Sequence, residues 1–162
     1  MQTTNSRPTL RSQQSAEQSA SIVSLPPARP GEWSIRQIQE VLSRPLPAQL
    51  LSTRRQGGKE IPYLAWHTVS KILDKYAPGW SWEIVRMGMT SDRIFVVGRL
   101  TIPTSDGHIC REATGTELLK RYDDEGELTE LAYGDPSSNA ESMAFRRAAA
   151  KFGLGLYLYG SA

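Results

Sequence analysis

The stretch from Trp80 to Leu119 reads as three consecutive strands, and a three-stranded unit of this kind must find cover for one of its faces. From Trp80 to Met89 apolar and polar residues alternate, with Trp80, Trp82 and Ile84 on one side. Ile94 to Ile102 is largely apolar and β-branched and is the expected central strand. Asp106-Gly107 is a hairpin turn signal. His108 to Leu119 forms the third run, in which the small residues Ala113 and Gly115 leave room for a close neighbour.

The cover comes from helical patterns on either side. Ser34 and Gln37 are spaced as a capping box ahead of the stripe Ile35, Ile38, Val41 and Leu42, which Pro45 and Pro47 end. A basic, glycine-containing loop, Ser52 to Lys59, precedes Ile61-Pro62-Tyr63, a short edge strand because Pro62 has no N–H for a central ladder. Val69, Ile72, Leu73 and Tyr76 mark a helix between Ala65 and Tyr76 that Pro78-Gly79 stops. The last helix is expected over Ser137 to Phe152, capped by Ser138 with Glu141 closing a capping box, and stopped at Gly153. On it Phe145, Ala148, Ala149 and Phe152 fall on one side, while Arg146, Arg147 and Lys151 fall on the other with no acidic partner nearby. The fold class is therefore α+β: an antiparallel meander of three to four strands with helices packed on one face. Residues 1–31, rich in Ser, Gln, Thr and Pro, read as a disordered polar tail, and residues 32–162 as one domain.

Composition narrows the function classes. A net charge of +2 makes bulk charge a weak pointer to nucleic acid, so the distribution of cations decides. The single cysteine, Cys110, excludes an internal disulfide framework, and buried packing is its default. His67 and His108 lack ligand-spaced partners, so neither a metal nor another cofactor is expected. The acidic run Asp123 to Glu127 reads as a solvated hairpin tip, not as a carboxylate cluster for two-metal phosphoryl chemistry, and a non-enzymatic protein is expected. No secretory signal pattern and no membrane-length apolar run are present, so a soluble protein of the cell interior is expected. Bare cations on an alanine-rich helix suit a polyanion or, more plainly, form a solvated face. From the residues alone, Tyr63, Trp80 and Trp82 read as core packing before any stacking role.

The order of these motifs resembles the annealing domain of the Rad fifty-two superfamily. The stretch Ser52-Thr53-Arg54 through Gly57-Gly58-Lys59, then Tyr63, a helix, Gly79-Trp80-Ser81-Trp82, the meander, and Ala144-Phe145-Arg146-Arg147-Ala148-Ala149-Ala150-Lys151-Phe152-Gly153 are all similar to it, over about residues 50 to 160. The closing Gly155-Leu156-Tyr157-Leu158-Tyr159 looks closest to the bacterial DNA damage response protein A and phage branch. The resemblance implies a β-β-β-α domain that binds single-stranded DNA and anneals complementary strands as a ring or helical homo-oligomer, in recombination and double-strand break repair. The strand would run in a basic groove between the sheet and the helix that follows it. Arg146 and Arg147 match the paired basic positions of the binding helix, and Tyr63 matches a binding-site tyrosine. Arg54, or Arg55 if the gap falls one residue later, matches a basic loop residue, and Lys59 lies in the same loop. Lys151 stands one residue after the third basic position of the eukaryotic pattern, where this chain has Ala150. The other reading of the same fold is a DNA-end-protecting or partner-loading protein that binds without annealing. A single-strand-binding protein or a recombinase is the further partner expected, and a cytoplasmic, nucleoid-associated location follows if the chain is bacterial or phage-borne, with an organelle matrix as the other location left open.

Overall fold

The computed structural model describes residues 25–130 and 135–160; most of the polar tail, residues 1–24, lies outside them. The strands are β1 (Ser52–Gln56), β2 (Lys59–Tyr63), β3 (Ser81–Met89), β4 (Arg93–Thr104), β5 (Gly107–Leu118), β6 (Lys120–Tyr122) and β7 (Leu128–Glu130). The helices are α1 (Ile35–Leu42), α2 (Trp66–Tyr76) and α3 (Pro136–Ala150), with short 3-10 turns at Ala48–Leu50 and Leu156–Tyr159. The architecture is α+β with antiparallel strands throughout the described residues: a three-stranded sheet in the order β3-β4-β5 and two separate hairpins, β1-β2 and β6-β7.

Strand β4 alternates without a break, its even-numbered residues from Ile94 to Thr104 buried and its odd-numbered ones half-exposed or exposed. Its buried face lies under α3, which packs on β4 and β5, while α2 packs on α3. The contact is close because both sides are small. Ala140, Ala144 and Ala148, four residues apart on α3, are fully buried, and a Cβ placed on Gly115 of β5 would fall 1.8 Å from the carbonyl oxygen of Ala140. Only glycine admits the helix backbone at that distance. Beyond this seam Phe145 of α3 and Phe152, just past its end, enter the main core with Ile38 and Leu42 of α1, Val69 and Leu73 of α2, and Leu100 and Ile102 of β4.

The capping box on α1 forms, with the Ser34 hydroxyl accepting from the Gln37 N–H and the Gln37 side chain accepting from the Ser34 N–H. On α3 the expected cap is wrong. The helix starts earlier, with Pro136 in its first turn, and the Asp135 carboxylate accepts from the Ser138 N–H at 3.2 Å. Proline at the first helical position sacrifices no hydrogen bond, so the helix gains a turn. Glu141, freed from capping, instead accepts from Trp82 Nε1 at 3.0 Å. Cys110 is exposed, not buried, because it lies on the outer face of the sheet opposite Thr101. Asp123 to Glu127 do form the tip of the β6-β7 hairpin, closed by the Asp123 carboxylate accepting the N–H groups of Glu125 and Glu127.

Candidate nucleic-acid interface

The basic segment Ser52 to Lys59 is not a loop but most of a hairpin. Gly57 and Gly58 make its two-residue turn with φ of +58° and +76°, a primed turn whose twist matches antiparallel strands. The register sets Ser52 opposite Tyr63, Arg54 opposite Ile61, and Gln56 opposite Lys59. Alternation then puts Arg54, Lys59, Ile61 and Tyr63 on one face and Arg55 with Glu60 on the other. Arg54 and Arg55 are thereby separated. No sequence periodicity distinguishes them, since the face is chosen by the turn.

The Arg54 face meets α3. The Arg54 guanidinium lies 6.0 Å from the centre of the Tyr63 ring and the Arg146 guanidinium 5.5 Å from it. Two cations thus share one aromatic ring, within the range of cation–π attraction. Both line a concavity with Arg147 and Tyr159, floored by Leu64, Val69 and Leu154. Arg146 is half-buried, and its pKa is lowered chiefly by that burial. The neighbouring Tyr159 and Tyr63 act in the opposite sense, while Arg54 and Arg147 lower it further by like-charge repulsion. Among the described residues the ion pairs are Arg44 with Glu40 and Arg99 with Glu83 and Glu112, so no carboxylate pairs with this cluster. The lack of an acidic partner read from the sequence for Arg146, Arg147 and Lys151 thus survives folding among the described residues, and Arg54 shares it.

Arg147 and Lys151 follow along α3, one turn apart, but they are not bare. Strand β5 is an edge of its sheet, and its unpaired carbonyls attract donors. Arg147 Nη1 donates to the Thr114 carbonyl at 3.1 Å, and Lys151 Nζ donates to the Glu112 carbonyl. Each keeps further N–H groups for a ligand. Arg54, Tyr63, Arg146, Arg147 and Lys151 therefore form one succession from the hairpin to the end of α3, with Lys59 on the same hairpin face and Arg55 turned away. Three lining residues were given no DNA-binding role in the sequence reading: Trp66 and His67, where α2 begins beside the cluster, and Tyr159. Trp66 stands out only after folding, since an apolar residue opening a helix is ordinary until its exposure is known. Among the described residues no group of three or more His, Cys, Asp or Glu is placed to hold a metal ion, and no helix is long and apolar enough to cross a membrane.

Comparison with known proteins gives this geometry a family. Residues 34–162 match the family described as Rad52/22 family double-strand break repair protein. The chain is 39% identical over 127 residues to DNA repair RAD52-like protein 1, mitochondrial, of Arabidopsis thaliana, across 77% of this chain and 67% of that protein. It is 43% identical over 98 residues to DNA repair RAD52-like protein 2, chloroplastic, of the same plant, across 60% of this chain and 45% of that protein. The chain thus spans about two thirds of the first relative and under half of the second. These relatives overturn the cytoplasmic, nucleoid-associated location expected for a bacterial or phage protein, because both are named for organelles. With a family match over residues 34–162 of its 162 residues, the chain belongs to the Rad52/22 family of double-strand break repair proteins.

Proposed function

We propose that this protein binds single-stranded DNA by its backbone and anneals complementary strands in DNA repair and recombination, without bond chemistry of its own. The observation that carries this reading is Arg146: half-buried, crowded by Arg54 and Arg147, and without a carboxylate among the described residues. A cation held at such a cost calls for an anionic ligand, and a phosphodiester offers one at each step of a strand. Arg54, Tyr63, Arg146 and Arg147 are the central contacts, with Lys59 and Lys151 continuing the basic rim and Arg55 adding charge behind it. Arginine forks match phosphate geometry, so they hold the backbone and leave base edges free to pair.

Self-assembly is part of the same proposal. A domain of this size contacts a short length of strand, so annealing needs several copies side by side. Strand β3 supports this: it is a sheet edge carrying the exposed apolar residues Ile84, Val85, Met87 and Met89. The test is annealing of two complementary labelled oligonucleotides by wild type and by an Arg54→Ala/Arg146→Ala double variant, with light scattering to follow assembly size. Fast annealing by the wild type, lost in a double variant that still assembles, is the expected result. Binding without annealing by the wild type would leave the end-protecting or partner-loading role, and absence of binding would refute the interface.

A further inference from the structure

We propose that the cleft between α2, β3 and the first half of α3 docks a nucleobase, with the exposed ring of Trp66 as its stacking surface. This rests on the single-strand reading above and deepens it. The occupant is a base of the strand whose phosphate is held at Arg54 and Arg146.

The cleft is lined by three tryptophans, Trp66, Trp80 and Trp82, together with Phe145 and the polar residues Ser70 and Glu141. Two of the tryptophans are committed to the fold. Trp80 stacks on Phe145 with ring centres 5.5 Å apart, and its Nε1 donates to Asp74 at 2.8 Å. Trp82 meets Phe145 edge-on at 5.0 Å, and its Nε1 donates to Glu141. They are fixed walls with satisfied N–H groups. Trp66 differs: it is 54% exposed, and its ring meets the neighbouring His67 edge-on at 5.8 Å. A large ring left half in solvent at the mouth of an aromatic cleft has a stacking surface to offer.

Continuity with the phosphate cluster identifies the occupant. A second depression, lined by Arg54, Tyr63 and Arg146, shares Trp66, Ser138 and Ser142 with the aromatic cleft. The two form one path, cationic at one end and aromatic at the other, as a nucleotide is anionic at one end and aromatic at the other. Charge also sets the orientation. Glu141 lines the aromatic cleft, which has no cation among its lining residues, so a phosphate is disfavoured there while a neutral base is not. Serine hydroxyls along the path donate or accept, and so suit every base. Stacking engages the face of a base and leaves its pairing edge available, which is compatible with annealing and indifferent to sequence.

The experiment compares wild type, Trp66→Ala and Trp66→Phe in titrations with oligo(dT) and with an abasic phosphodiester oligomer of the same length, while light scattering follows assembly. Trp66→Ala is expected to weaken oligo(dT) binding about tenfold or more, with the abasic oligomer bound as by wild type and the salt dependence unchanged. Trp66→Phe should retain most of the oligo(dT) affinity. Equal binding of both oligomers by Trp66→Ala and wild type would overturn the inference while leaving the phosphate-binding reading intact. A change in assembly size without a change in the oligo(dT)-to-abasic ratio would also overturn it, assigning the cleft to a second copy of the chain. Wild type that binds neither oligomer would refute the single-strand reading and this inference together.

Discussion

Two arginines illustrate what a partner does to a buried or crowded charge. Arg99, on the outer face of the sheet, donates to Glu112 and to Glu83, and those hydrogen bonds raise its pKa. Among the described residues Arg146 has no such partner, and burial lowers its pKa. The first is neutralised by the fold; the second is not. Because the Arg146 pKa is depressed in the folded state, its charged form costs stability at every pH below that value. An arginine stays protonated across the working range, so the cost is constant there and no pH dependence of stability is expected from this group near neutrality. Arg146→Met, which keeps an apolar stem and removes the charge, should leave the melting temperature unchanged or raise it. The same variant should weaken oligo(dT) binding and flatten its log–log salt dependence by about 0.7 for each phosphate that is no longer neutralised. A lowered melting temperature with unchanged DNA affinity would show that Arg146 serves the fold and not the ligand.

Helix α3 is placed by what its inner face lacks. Alanines at four-residue spacing and Gly115 opposite them let the helix lie directly on β5, and its polar outer face then projects Arg146 towards the hairpin and Arg147 towards the strand edge. Substituting Gly115→Val inserts a side chain where a Cβ alone would fall 1.8 Å from the Ala140 carbonyl oxygen and 2.6 Å from the Ala144 nitrogen. Both are helix backbone, so α3 must move bodily. The expected loss is about 3 kcal/mol or more, read as a fall in the urea midpoint, together with weaker DNA binding as Arg146 leaves Tyr63. A Gly115→Val protein with wild-type stability would refute the close helix–strand seam. The hairpin plays the complementary role, since its glycine turn selects the face of β1 and β2 that carries Arg54 and Tyr63.

The two edges of the sheet are treated differently, and this bears on the molecule as a whole. The β5 edge has carbonyls occupied by Arg147 and Lys151. The β3 edge is broken only by a register shift between Ile84 and Arg86, and carries Met87 at 58% and Met89 at 72% exposure. Solitary domains blunt such an edge with charge or proline; here Glu83 and Arg86 are interspersed with the exposed apolar residues Ile84, Val85, Met87 and Met89, which a second copy could cover. A heterologous contact through one edge gives a ring if it closes and a filament if it does not. Met87→Lys is therefore expected to reduce assembly size in light scattering while leaving the monomer folded by circular dichroism. An unchanged particle size would remove β3 from the subunit contact.

The α+β class, the three-stranded meander with its central strand, the three helices around it and the inward side of the last one at Phe145, Ala148 and Ala149 were legible in the sequence, because hydrophobic patterning and helical periodicity are local and repeat along the chain. The family resemblance was legible for the same reason, as an ordered set of short motifs. Three things were decided only in three dimensions. The β1-β2 hairpin hides in a polar, basic stretch, where no buried face imposes alternation on the sequence, and it alone separates Arg54 from Arg55. Arg147 and Lys151 look bare in sequence, but the β5 carbonyls they reach lie more than thirty residues away along the chain. The ring of Tyr63 becomes a shared platform, and Trp66 an exposed one, because α3 returns across the hairpin after the whole meander. Which cations converge depends on contacts distant in sequence, and residue type and spacing do not encode those pair by pair.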